Sequence, residues 1–440
     1  MGGGFVASQA GHITDHGQEY RRDVGTLGVV FLVVNGLVGS GIFGLPELLH
    51  QAVGTFAPWL MLAGAFLIAS VFFCFAELGR LTDRSGGPQR FVTDAFGSFP
   101  GFQVGWLWYF GRMVAHAANV TVLVSYAAAF WPVLGEGVAR SCAIVLIIGL
   151  VTVLNVVGIK RAVSVLGALT LFKLAPLVLL VGVVLVANPS MKPVSLPQFS
   201  AVEGVALAAL YAFIGCENAT IPAGETKDPK KSVPRALLIS VAIVGLIYFG
   251  LQFAYSNSPV AGTGSEAPLA ALAGHYTGNF GSLLIAATVI VSVLGNSVAG
   301  HTIAARITAA LSDDGLIPRW FGRVSNWGTP ANSIVFFGLG ALLFALTGSF
   351  VALAISSTLA RLLVYIASIG ALPRLRRLAG LDAFTQPLGA VAGIALSLCV
   401  WASSQSSGEQ WVLIAAFLCA GTVLFFMAGY FPSGAPDRQT

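Results

Sequence analysis

Apolar stretches of membrane-crossing length follow one another from residue 28 to residue 431, and no other feature restricts the fold of this chain so tightly. They fall near 28–52, 58–78, 99–130, 138–158, 161–187, 201–222, 233–256, 277–311, 332–347, 350–372, 387–403 and 409–431. That makes about twelve blocks, each near or above the roughly 17 residues that a helix needs to cross a hydrocarbon layer. Only 9% of the residues are charged, against 56% hydrophobic. A soluble domain carries about 25% charged residues on its surface. The expected solvent is therefore lipid, and the expected fold is an all-α membrane protein, since helices satisfy their own backbone groups there.

Lys and Arg orient the spans. One side holds Arg21, Arg22, Arg80, Arg84, Arg90, Lys160, Arg161, Lys227, Lys230, Lys231 and Arg235, then Arg319, Arg323, Arg374, Arg376, Arg377 and Arg438. The other holds Arg140 and Lys192. The basic side, with both termini, is expected to be cytoplasmic, and the protein to be multi-pass in the cell's inner or plasma membrane. The first twenty residues lack the apolar core of a cleavable signal. Residues 1–23 and 432–440 read as cytoplasmic tails around a transmembrane domain at 24–431.

Two spans break helix rules near their middle. The first runs Asn35-Gly36-Leu37-Val38-Gly39-Ser40-Gly41-Ile42-Phe43-Gly44-Leu45-Pro46. Each glycine there costs a helix roughly 1 kcal/mol relative to alanine. The sixth runs Tyr211-Ala212-Phe213-Ile214-Gly215-Cys216-Glu217-Asn218-Ala219-Thr220-Ile221-Pro222. Spans one and six each open a five-helix unit. Matching interruptions in two halves point to an inverted-repeat transporter. The expected architecture is a five-plus-five inverted repeat with broken helices 1 and 6, plus two C-terminal helices. Repeat one covers about 24–187, repeat two about 201–372, and the extra helices about 387–431.

Unwinding frees backbone groups that must find partners in lipid. The N–H groups of Gly39, Ser40 and Gly41 suit a carboxylate, as helix N-termini do. The carbonyls near Phe213 and Ile214 suit an ammonium. The expected substrate-binding residues are Val38, Gly39, Ser40, Gly41, Ile42, Phe213, Ile214, Gly215, Cys216 and Glu217. Close glycine-mediated helix packing is the alternative for either segment.

Several ordered stretches make the chain similar to the amino acid–polyamine–organocation family of permeases. Val38-Gly39-Ser40-Gly41-Ile42-Phe43 with Pro46 resembles that family's first-helix break. Ala76-Glu77-Leu78, Ser85-Gly86-Gly87-Pro88 and Ala95-Phe96-Gly97 resemble its segment after helix two. Gly224-Glu225-Thr226-Lys227-Asp228-Pro229 through Arg235-Ala236 resembles the signature after helix six. Ser312-Asp313-Asp314-Gly315-Leu316-Ile317-Pro318 with Thr329-Pro330 resembles the loop after helix eight. The nearest look is to the bacterial basic amino acid and polyamine antiporters. In the arginine–agmatine exchangers of that branch a helix-eight tryptophan stacks on the substrate. Aligned through Asp313-Asp314-Gly315-Leu316, its place here falls near Gly300, which adds Gly300 to the candidate substrate wall and implies a different or broader side pocket.

An ionisable group inside a span needs a reason, because it costs at least about 2.5–3.5 kcal/mol. Lys173 lies within span five, where the resemblance implies a cation in sodium-dependent relatives. It reads either as a coupling group or as a structural tether. Glu217 reads as a pH sensor, a counter-ion for a cationic substrate, or a helix-tying acceptor. Arg112, His116 and Asn119 share a face of span three, His301 and Arg306 lie in span eight, and Arg361 lies in span ten. Lone buried histidines are more often satisfied core residues than proton relays. Trp106 and Trp108 read as interface anchors. The cysteines at 74, 142, 399 and 419 read as small apolar core residues.

The expected function is sodium-independent exchange or proton-coupled transport of amino acids or related amines by alternating access. The alternative is a sensor or accessory membrane protein with this fold and no flux. No HExxH, phosphate-binding loop or Cys/His ligand spacing suggests an enzyme, a cofactor or a metal. The partners expected are a small amino acid or amine and the bilayer. Protons and a homo-oligomer stay open, and no nucleic acid is expected.

Overall fold

In a computed structural model, which describes residues 25–81, 87–158, 162–188, 191–215 and 229–430, every regular element is helical. The chain order is α1 (Thr26–Leu37), α2 (Ser40–Gly44), α3 (Pro46–Val53), α4 (Ala57–Leu81), α5 (Gly87–Phe96), α6 (Ser98–Ala128), α7 (Gly137–Val157) and α8 (Ala162–Ala187). Then follow α9 (Phe199–Tyr211), α10 (Pro229–Asn257), α11 (Pro268–Asp313), α12 (Ala331–Thr347), α13 (Phe350–Leu378), α14 (Leu388–Ser404) and α15 (Gly408–Tyr430). Among the described residues, six helical runs are long and apolar enough to cross a membrane: Pro46–Leu81, Gly137–Val157, Pro234–Asn257, Pro268–Asp313, Phe350–Leu378 and Gly408–Ala428. Further apolar helices are shorter, among them Thr26–Leu37 and Phe199–Tyr211, which stop at the two expected breaks.

The bundle is arranged around α6. It packs against α5, α11, α12, α13 and α15, and its residues from Gly101 to Tyr126 are almost all buried. On the other flank α4 lies along α10, which also meets α1 and α8. The outer helices keep their apolar side chains outward. Leu146, Leu150 and Val153 of α7 are exposed, as are Val412, Val423 and Phe426 of α15. Apolar surface in such continuous bands is stable only against lipid.

The central place of α6 corrects one expectation. Trp106 and Trp108 are buried, not set at an interface. Trp106 stacks on Phe102, Tyr109 and Phe417. Its indole N–H, which would be costly to leave unpaired, donates to the Phe417 carbonyl at 2.9 Å. Two cysteines also differ from expectation. Cys74 and Cys399 are core residues, but Cys142 and Cys419 lie on the exposed faces of α7 and α15. A polar segment read as a loop after span two contains α5, whose Phe91, Val92 and Ala95 are buried. At this end of the bundle Glu77 of α4 accepts from the Arg376 guanidinium of α13, and Arg376 also donates to the Asp382 carbonyl.

Candidate substrate site

The first break lies between α1 and α2. Val38 (φ −80°, ψ 82°) and Gly39 (φ −115°, ψ −151°) leave the helical region, so four carbonyls at the end of α1 lose their intrahelical donors. Each finds another donor. The Lys173 ammonium of α8 donates to Asn35 O (3.0 Å) and Val38 O (3.3 Å). The Asn296 amide of α11 reaches Asn35 O and Gly36 O at 3.4 and 3.2 Å. The Tyr248 hydroxyl donates to Leu37 O at 2.9 Å, and Ser292 Oγ to Val38 O at 3.1 Å. The break is therefore a built feature, held by α8, α10 and α11 together.

Beyond the break, α2 begins with N–H groups that have no carbonyl one turn earlier. The Ser40 N–H donates to Asn119 Oδ1 of α6 at 3.2 Å, and Asn119 in turn meets Asn296 at 3.5 Å. Ser40 Oγ and the Tyr211 hydroxyl, at the end of α9, share a hydrogen bond of 2.9 Å. The second break follows at once. Phe213 N–H and Ile214 N–H bond back to Leu210 O and Tyr211 O, tightening the last turn, and Gly215 turns the chain away at φ +132°. Only glycine adopts that conformation readily.

The two breaks touch. A Cβ on Gly41 would sit 2.6 Å from Ala212 Cα, and one on Gly215 would sit 2.6 Å from Gly36 O. Between them lies a cavity of about 390 Å³, lined by Gly36, Leu37, Gly39, Ser40, Gly41, Arg112, Ala115, Asn119, Tyr211, Ile214, Gly215, Asn296 and Arg361. Of the residues singled out from sequence, Gly39, Ser40, Gly41, Ile214 and Gly215 are on this wall. Val38, Ile42, Phe213 and Gly300 are not. The Phe213 ring packs on Tyr248, 5.3 Å between centroids, and the space beside Gly300 is open. Cys216 and Glu217 lie outside the described residues. Sequence reasoning missed Asn296 and Tyr211. The signal for Asn296 was present: an amide inside an apolar span, one helical turn before Gly300.

His116 and His301, ring centroids 5.3 Å apart, stand off the cavity against Phe337 of α12. His301 Nε2 lies 2.9 Å from the Ile334 carbonyl.

A third cluster fixes the far half of the broken helix. The Glu47 carboxylate, in the first turn of α3, accepts from the Tyr255 hydroxyl of α10, from the N–H groups of Gly262 and Gly264, and from the Gln51 amide. It ties α3 to the α10–α11 connection. Glu47→Gln replaces an acceptor oxygen with a donor NH₂ facing donors. Each charge-assisted bond is worth about 1.5–3 kcal/mol. The variant is expected to melt several degrees lower in detergent, read by differential scanning fluorimetry; an unchanged melting temperature would show that the tie carries no stability.

A family model described as amino acid permease matches residues 24–440. The chain is 26% identical over 330 residues to a cadaverine/lysine antiporter of Escherichia coli (strain K12), covering 71% of this chain and 72% of that one. It is 27% identical over 390 residues to a polyamine transporter of Oryza sativa subsp. japonica, covering 85% and 71%. It is 26% identical over 327 residues to an arginine/ornithine antiporter of Pseudomonas aeruginosa, covering 69% and 66%.

Proposed function

The chain belongs to the amino acid permease family, and from that premise we propose that it exchanges amino acids or related amines across the cell membrane by alternating access around the cavity between α1–α2 and α9. The observation that carries this reading is the pair of backbone breaks in contact across that cavity. A continuous helix has no spare donors or acceptors at mid-membrane, whereas these breaks present the N-terminus of α2 and the C-terminal end of α9 to one small space. In this reading the substrate carboxylate meets the first N–H groups of α2, and the ammonium meets the carbonyls of Phe213 and Ile214. The breaks would open the two halves of a five-plus-five repeat within about twelve spans, with both termini cytoplasmic as the Lys and Arg placement implies. Glu217, two residues past Gly215, and Lys173 are the proposed coupling groups.

The test is flux. Purified protein in proteoliposomes, loaded with unlabelled amino acids, is expected to take up labelled amino acid or amine against an equal outside pool. Accumulation no faster than in protein-free vesicles for every solute would sink the reading. The same vesicles give a second prediction. Lys173 already supplies a cation to Asn35 O and Val38 O, and a sodium ion beside it would be repelled strongly at low dielectric. Replacing sodium by potassium is expected to leave initial rates unchanged; a saturable sodium effect on substrate affinity would show that a sodium site exists.

A further inference from the structure

Two guanidinium groups share the wall of the cavity, and their placement bears on which solute it accepts. Arg112 comes from α6 and Arg361 from α13, and each residue is only 5% exposed. They are brought together by close packing at Gly111, where the Cβ of any larger residue would lie 3.2 Å from Arg361 Cγ. The Arg112 guanidinium is supported on the Trp108 ring, 5.1 Å from its centroid. The remaining polar wall is neutral: Ser40, Asn119, Tyr211 and Asn296. Among the described residues no carboxylate lines the cavity. Lys173, behind the break, adds a further positive charge close by. Even if the Glu217 carboxylate is counted in full against these three cations, a positive surplus remains.

Like charges facing a small space at low dielectric repel, and an anion between them removes the repulsion. A guanidinium fork also matches a carboxylate with two parallel hydrogen bonds. A lysine or diamine side chain would bring the wrong sign to the same wall. The cavity, at about 390 Å³, lies near the small end of ligand sites, in keeping with one short solute.

We propose that the substrate carries a second carboxylate: it is an acidic amino acid, whose side-chain carboxylate lies between Arg112 and Arg361 while its backbone groups occupy the two helix breaks. This rests on the transporter reading above and narrows it away from the cationic solutes named for the relatives.

The test uses the full-length protein in two assays. Thermal stability in detergent is measured with aspartate, glutamate, asparagine, glutamine, lysine and cadaverine. Exchange in proteoliposomes is measured with the same six. Acidic solutes are expected to stabilise the protein and to compete best for exchange. In Arg112→Gln and Arg361→Gln, affinity for glutamate is expected to fall by roughly tenfold to a hundredfold, with glutamine little changed, so that the glutamate-to-glutamine ratio reverses. Retained glutamine exchange shows that the variants are folded; if either variant does not fold, the six-solute comparison on the wild type decides by itself. Preference for lysine, cadaverine or the neutral amides overturns the proposal and leaves the transporter reading intact. Stabilisation by acidic solutes with no exchange of any solute upholds the proposal and removes transport.

Discussion

Gly41→Val is expected to abolish substrate binding and exchange while the protein still inserts in the membrane. The reason is backbone contact. Any Cβ at this position would lie 2.6 Å from Ala212 Cα and 3.2 Å from Ala212 N and Cβ. Neither partner can rotate away, because the obstacle is main chain. The valine must push α2 and the end of α9 apart, which moves Ser40 off Tyr211 and Ile214 and Gly215 off the cavity they line. Over-packing of this kind costs about 1–3 kcal/mol, enough to displace the two breaks without unfolding a bundle of this size. Insertion depends on span hydropathy, which a valine does not lower. Gly39 provides the graded control. Its Cβ would meet the Asn296 amide nitrogen at 3.2 Å, the end of a side chain that can shift, so Gly39→Ala is expected to weaken binding without eliminating it. Ligand-induced thermal shift on both variants, with exchange measured in parallel, reads the difference. A Gly41→Val protein with wild-type affinity would mean that the contact between the breaks is not part of the site.

The breaks were legible because their cause is local. Gly36, Gly39, Gly41 and Pro46 within one apolar span, and Gly215 in another, disfavour a continuous helix wherever the chain folds. What holds them open is not local. Tyr248, Ser292 and Asn296 each donate to a carbonyl more than two hundred residues away in sequence, and nothing beside them names that partner. Gly300 shows the limit of carrying a position over by alignment. The shared loop places it on the right helix, but Asn296, one turn earlier, is the residue on the cavity wall. Trp106 shows another limit. A tryptophan near a span end fits an interface, yet α6 is enclosed by other helices, and its indole finds a carbonyl on α15. The six clear spans, fewer than the blocks first counted, follow from the same physics. Helices cut by a break are short, and the enclosed α6 carries polar and charged side chains inward, such as Arg112 and Asn119.

Lys173→Met is expected to reduce exchange by tenfold or more and to destabilise the protein, and the two effects share one cause. Lys173 is 1% exposed, and its ammonium reaches Asn35 O before the break and Val38 O within it. It therefore spans the interruption and fixes the angle at which α2 leaves α1. Methionine keeps much of the length and removes the donor. Asn35 O then has only the Asn296 amide at 3.4 Å, near the limit of a useful bond, and Val38 O has Ser292 Oγ at 3.1 Å. Losing two charge-assisted bonds to buried carbonyls costs about 3–5 kcal/mol in total, less whatever burying an ammonium had cost. That offset makes the stability loss the smaller signal and the functional loss the larger one, because a site built on backbone groups depends on their direction. Gln in place of Lys173 separates the two roles. Its amide still donates to one carbonyl but carries no charge, so recovery of exchange by Lys173→Gln would mean that the residue acts as a tether. Failure of Lys173→Gln to recover exchange, with its melting temperature restored, would instead assign the positive charge itself to the transport cycle. Initial exchange rates and melting curves for the two variants, measured on the same preparations, distinguish these outcomes.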